Sequence, residues 1–276
     1  PIWDNGATTE AGAITTFLPS APKHGTLDNT NSLVGTNTID NIGDGFLVGL
    51  SNGNRLVVHG GWNGGRGAVT FWNVSTDLVG DVGPGNSLVG AAANDFVGSF
   101  STQEISGSGR YLVKTPSFNG SAGALTFGSI TTGVKGVVSA ANSLVGANPG
   151  DQMGSGIFAF SFSNGPVLML SAHGGRGAVT YLNPANPPRG AISAANSLVG
   201  STFGDGNGQY QEFVTANLRA INSPSWNNGA VTDAGAVTML DLSTGTFAGT
   251  ATPIAGRISA ANSLVGTFAN DALGTN

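Results

Sequence analysis

Between Gly43 and Gly98 the chain alternates short apolar runs with clusters of turn-forming residues. Residues 45–50, 55–59, 67–72 and 86–91 are rich in aliphatic, β-branched and aromatic side chains. Ser51-Asn52-Gly53-Asn54 separates the first two runs, and the glycine-rich stretch 60–65 separates the second and third. Runs bounded in this way are the signature of strands, and no window carries a sustained 3.6-residue apolar period. The pattern predicts four short antiparallel strands and almost no helix.

The pattern then returns. Asn-Ser-Leu-Val-Gly stands at 31–35, 86–90, 142–146, 196–200 and 262–266, in steps of 55, 56, 54 and 66 residues. Six residues before each motif asparagine is a glycine (Gly25, Gly80, Gly136, Gly190, Gly256), followed after one residue by an aliphatic (Leu27, Val82, Val138, Ile192, Ile258). Five residues after each motif glycine is an aspartate: Asp40, Asp95, Asp151, Asp205 and Asp271. A second block, Gly-Ala-aliphatic-Thr, begins at Gly12, Gly67, Gly123, Gly177 and Gly235. It follows Asn5-Gly6, Asn63-Gly64, Asn119-Gly120, His173-Gly174 and Asn228-Gly229 respectively. Such dipeptides supply the positive φ of tight turns.

Four strands in about 55 residues, five times over, predict an all-β five-bladed β-propeller occupying 1–276 as one domain. The alternative is a β-solenoid, whose coils of roughly 20–30 residues would not need two hairpins per repeat. Closing the ring from Asn262 through the two termini to Gly12 leaves 26 residues, against 35–39 between equivalent positions elsewhere. One blade is therefore expected to be shared by the termini, or a segment of a longer parent to be missing.

Composition alters this picture in three places. Glycine, at 45 residues, suggests low complexity, yet 25 of the 45 fall in five repeat slots and 39 % of the chain is hydrophobic, unlike a disordered segment. Ten basic against fifteen acidic residues give a net charge of −5 with no basic stripe, so nucleic acid is not an expected partner. The chain has no cysteine, which excludes disulfides, thiolate zinc sites and cysteine nucleophiles. No apolar run reaches the 18 residues of a membrane span, and Pro1-Ile2-Trp3-Asp4 is not a leader, so a piece of a larger secreted polypeptide is expected, without membrane insertion.

Asn-Ser-Leu-Val-Gly, Gly-Asp-Gln-Met-Gly (150–154), Ser-Asn-Gly-Asn (51–54) and Ser-Pro-Ser-Trp-Asn-Asn-Gly-Ala-Val-Thr-Asp-Ala-Gly-Ala-Val-Thr (223–238) together resemble a repeat family of unassigned function. That family occurs in large secreted bacterial surface proteins of the filamentous-haemagglutinin and adhesin type, and the resemblance covers essentially the whole chain. More remotely, Asp95-Phe96-Val97-Gly98 and Gly67-Ala68-Val69-Thr70-Phe71 are similar to the FG-GAP repeats of integrin-α propellers. The resemblance implies an extracellular or cell-surface module facing host or matrix glycans or proteins. Integrin-type blades that bind calcium carry an Asp-x-Asp-x-Asp-Gly loop. The turns here are Ser51-Asn52-Gly53-Asn54, Ser106-Gly107-Ser108-Gly109, Ser163-Asn164-Gly165-Pro166 and Thr215-Ala216-Asn217, none with a carboxylate. Calcium is therefore not supported, and no cofactor is expected.

Two sets of recurring residues are candidates for a site. The five aspartates read as turn caps, bonding N–H groups one or two residues on, or as a ring of metal or sugar ligands. Trp3, Trp62, Phe118 and Trp226, with Asn63, Asn119 and Asn228 beside them, read as packing between repeats or as repeated sugar platforms. His24, His59 and His173 share no metal spacing. Neither a nucleophile elbow, a phosphate-binding loop nor a His-Glu-x-x-His helix is present. The expected function is a non-enzymatic structural or adhesive module. A glycan-binding lectin and, more remotely, an enzyme with a site at a central channel are the alternatives.

Overall fold

Phe46–Gly49, Arg55–His59, Ala68–Trp72 and Ser87–Val89 form an antiparallel meander, with Leu47 opposite Val57, Val58 opposite Val69 and Val69 opposite Leu88. These are the four strands expected from the sequence, the first, third and last trimmed from six residues to four, five and three. Gly90 keeps one bond of the same register, its N–H reaching the Gly67 carbonyl at 3.2 Å, and the pairing ends there. Burial increases across the meander. Phe46–Gly49 is mostly exposed, whereas Leu56, Val58 and Leu88 are fully buried.

The computed structural model describes residues 3–18, 22–155, 158–159 and 166–275. Within them the strands form five sheets. The third repeat contributes Ser101–Ile105, Arg110–Thr115 and Ala124–Ser129. The fourth pairs Phe158–Ala159, Val167–Ser171, Ala178–Leu182 and Leu198–Val199 in that order. The fifth pairs Tyr210–Phe213, Leu218–Ser223, Ala236–Asp241 and Leu264–Val265. Part of the longer last step is an added strand, Thr246–Phe247, on the far end of Ala236–Asp241. The first repeat supplies Ala13–Ile14 and Leu33–Val34. The turn read at Ser163-Asn164-Gly165 lies outside the described residues.

A second kind of pairing was not anticipated. Each of the first four motif strands takes, on its other edge and in parallel, a two-residue strand of the following repeat. Gly80–Asp81 lies on Leu33–Val34, Gly136–Val137 on Ser87–Val89, Gly190–Ala191 on Leu144–Val145, and Gly256–Arg257 on Leu198–Val199. The aliphatic that follows each of them, Val82, Val138, Ile192 or Ile258, is buried. Helix is nearly absent among the described residues, as the pattern predicts. Trp62–Gly65 and Phe118–Ser121 are single helical turns interrupted by left-handed residues, Asn63 (φ 48°, ψ 58°) with Gly64 and Asn119 (φ 50°, ψ 59°) with Gly120.

The chain divides into two compact units, residues 1–120 with 124–143 and residues 121–123 with 144–276. In the first, Leu33, Ile42, Val57, Trp62, Leu78 and Val82 belong to one core cluster. In the second, Leu198, Ile221, Trp226, Leu240, Ile254 and Ile258 do the same.

Candidate functional site

The asparagine and serine of the motif are committed to the backbone and to a partner strand. Asn86 donates from Nδ2 to the Asp81 carbonyl (3.0 Å), while its Oδ1 accepts from the Gly83 N–H (3.1 Å) and the Ser87 hydroxyl (2.9 Å). Ser87 Oγ lies 2.7 Å from Thr70 Oγ1, and both residues are buried. The hydroxyl pair recurs as Thr15–Ser32, Thr126–Ser143, Thr180–Ser197 and Thr238–Ser263, at 2.6–2.7 Å. Its signal was present in the sequence as a threonine 17 residues before the motif serine in four repeats and 25 before it in the fifth. The motif glycine is a close-approach position: a Cβ on Gly90 would lie 2.3 Å from the Arg66 carbonyl oxygen.

The repeat aspartates act as staples, in a direction opposite to the one read from the sequence. Asp40 Oδ2 accepts from the N–H groups of Thr36 and Asn37, four and three residues earlier, at 2.9 and 2.8 Å. Its Oδ1 reaches into the next repeat and accepts from the Asn63 N–H at 2.8 Å. Asp95 joins Ala92 to Asn119 in the same way, Asp151 joins Ala147 and Asn148 to Gly174, and Asp205 joins Ser201 and Thr202 to Asn227. Asp271 holds its own loop through Thr267 and Phe268. Asp40, Asp95, Asp151 and Asp205 are buried, and their oxygens already face donors, which is the reverse of a cation cradle.

The aromatic candidates are placed in the interior. Trp62, Phe118 and Trp226 are 5 %, 8 % and 3 % exposed, so their faces are not open to a sugar ring. Trp3 is half-buried. The neighbouring asparagines divide into two kinds. Asn63 and Asn119 sit in tight left-handed turns. Repeats one and five have four more residues between the aromatic and the glycine of the second block, and there Asn5 and Asn228 donate from Nδ2 to the Gly35 and Gly266 carbonyls, each at 3.0 Å.

The histidines do not converge. His24 is exposed. His59 is buried with both ring nitrogens unpartnered, and burial pushes its pKa down to about 4. His173 Nδ1 lies 3.9 Å from Asp151, and burial lowers its pKa against the pull of that carboxylate. Among the described residues, no three His, Cys, Asp or Glu side chains form a metal-binding group. At the turn corresponding to the integrin calcium loop, Ser51 donates from N and Oγ to Glu104, and Asn52 and Asn54 donate to the Ile130 carbonyl. Donors, rather than oxygens seeking a cation, fill that turn.

Five segments, residues 1–44, 49–99, 106–155, 171–209 and 220–275, match the family described as a repeat of unknown function, DUF5650. The chain belongs to this family. No curated protein matches it. Among the described residues of this DUF5650 chain, no helix is long and apolar enough to cross a membrane.

Four of the aspartate loops of the DUF5650 repeats carry a large apolar side chain that faces solvent. Ile39, Phe96, Phe203 and Phe268, each in the aspartate loop of its own repeat, are 60 %, 40 %, 82 % and 74 % exposed. Their slots differ by a residue or more relative to the aspartate, so the register of the repeat does not reveal them. Phe96 and Phe203 lie over Gly65 and Gly175, where a Cβ would meet the ring at 2.8 and 2.5 Å.

Proposed function

We propose that this chain is a non-enzymatic, extracellular adhesive module of a bacterial surface protein, with each aspartate loop a separate contact point toward host or matrix proteins or glycans. One contrast carries the reading. The polar side chains that recur in every repeat are consumed by internal hydrogen bonds, whereas an exposed apolar side chain stands in four of the five aspartate loops. Single contacts of this kind are weak, but repetition on one chain raises their combined strength well above any one of them. The four-stranded meanders of the second to fifth repeats support a propeller-type arrangement of the module. The expected partner engages the rings of Phe96, Phe203 and Phe268 and not the buried Trp62 or Trp226.

The test is binding of the whole chain to panels of matrix proteins and glycans, compared with an F96S/F203S/F268S variant. Loss of binding with an unchanged melting temperature is the expected result, since all three rings are exposed. Binding that survives the triple substitution, or blank panels for the unsubstituted chain, would reject the proposal.

A further inference from the structure

Four motif strands are closed on their free edge by the next repeat, and the closure is uniform. Gly80 N–H and Val82 N–H donate to the Ser32 and Val34 carbonyls, both at 3.0 Å. Gly256 and Ile258 donate to Ser197 and Val199 at 3.0 and 3.2 Å, and Val138 and Ile192 donate to Val89 and Val145 at 2.9 Å. Beneath these segments Leu33, Leu88, Leu144 and Leu198 are each 0 % exposed. The fifth motif strand differs. Leu264–Val265 pairs with Ala236–Asp241 on one edge, yet Leu264 is 68 % exposed. It borders a cavity of about 570 Å³ whose lining includes Val237, Met239, Phe247 and Ala248.

The matching half of the contact lies in the first repeat. Gly25-Thr26-Leu27 has the form of a closing segment, but makes no strand pairing among the described residues. Gly25 has φ +107°, beside +105°, +105°, +94° and +115° for Gly80, Gly136, Gly190 and Gly256. Asn31 Nδ2 donates to the Thr26 carbonyl at 2.7 Å, as Asn86 and Asn262 do to Asp81 and Arg257 at 3.0 and 2.9 Å. Gly25 and Thr26 are exposed and Leu27 is half-buried. The segment is thus held in its docking conformation in advance, which reduces the ordering cost of association.

We propose that Leu264–Val265 receives Gly25-Thr26-Leu27 of a second copy, in a parallel head-to-tail contact that reproduces the one made four times within the chain. In that register Leu264 lies opposite Gly25 and Val265 opposite Thr26, following Leu198 with Gly256 and Val199 with Arg257. The N–H groups of Gly25 and Leu27 meet the carbonyls of Ser263 and Val265, and Leu27 covers Leu264. The contact is weaker than its internal counterparts for an identifiable reason. Four residues before the aliphatic, the second and fifth repeats place buried Leu78 and Ile254, whereas the first places Lys23, tied to Asp77 at 3.1 Å. Because donor and acceptor surfaces differ, the association is heterologous and extends beyond a dimer as concentration rises.

The absence of cysteine makes the test clean. Thr26→Cys and Val265→Cys variants are mixed and treated with a short bis-maleimide at ~100 μM, a concentration that half-fills a contact with a Kd of that order. The expected result is a cross-linked heterodimer in the mixture and in neither variant alone. The sedimentation mass of the unsubstituted chain should rise with concentration, and Leu264→Glu or Leu27→Asp should abolish that rise. A mixture that yields no heterodimer, a T26C/V265C double variant that links only within one chain, or a constant monomer mass over the same range would overturn the proposal.

Discussion

Thr70 and Ser87 show how a repeat with few charges specifies its strand register. Both hydroxyls are buried: Ser87 donates its one proton to Asn86 Oδ1 and therefore accepts from the Thr70 hydroxyl. Ser87→Ala leaves Thr70 with an unpaired buried hydroxyl and is expected to cost about 1–3 kcal/mol in urea unfolding, whereas adding Thr70→Val should cost less than the sum of the two single changes. His59 presents the opposite case, a buried polar side chain with no partner. Its pKa falls to about 4 in the folded chain, because burial disfavours the cation. An unfolded histidine titrates near 6.5, so between these values the unfolded chain binds the proton and the folded chain does not. Stability is full above about pH 6.5 and declines toward pH 4, by a total on the order of 3 kcal/mol. Thr115 occupies the equivalent strand position, opposite Ala124 as His59 is opposite Ala68. His59→Thr should therefore flatten that part of the pH–stability curve.

Strands were legible in the sequence wherever an apolar run stood between two turn clusters. Arg55–His59 appears with the boundaries its pattern predicts, because residues 56–58 are buried and Asn54 and Gly60 end the run. Gly80–Asp81 was not legible. Two residues, one of them an exposed aspartate, make a parallel ladder with a strand from the preceding repeat, and no turn signature announces a pairing of that kind. The aspartates were legible as turn residues but not in direction, since a staple to Asn63 or Asn119 spans 23 or 24 residues. Of the aromatic candidates, recurrence before the Asn-Gly turn was visible, but burial depends on neighbouring strands. Trp62 sits in the core cluster with Leu33, Ile42 and Leu78. Trp62→Ala should accordingly lower unfolding stability by about 3–5 kcal/mol, read by chemical denaturation, and Trp226→Ala should do the same in its own cluster.

Edges differ along the chain, and amide exchange should report it. Leu198–Val199 lies between Ala178–Leu182 and Gly256–Arg257, whereas among the described residues Leu264–Val265 pairs on one side only. Protection from hydrogen exchange is expected to be markedly higher at 198–199 than at 264–265 in dilute solution, where no second copy is bound; equal protection would contradict the open edge. The parallel ladder also sets the unit of structure out of phase with the unit of sequence. A sheet that begins at Phe46 is finished by Val137, so an excised motif-to-motif segment carries a strand belonging to its predecessor and lacks its own. Shortening the array without orphaning a strand means joining equivalent points, such as Gly90 to Ala147, so that Leu88 inherits the cover that Leu144 had. Copy number could then change by whole periods through recombination while every seam between successive repeats stayed closed.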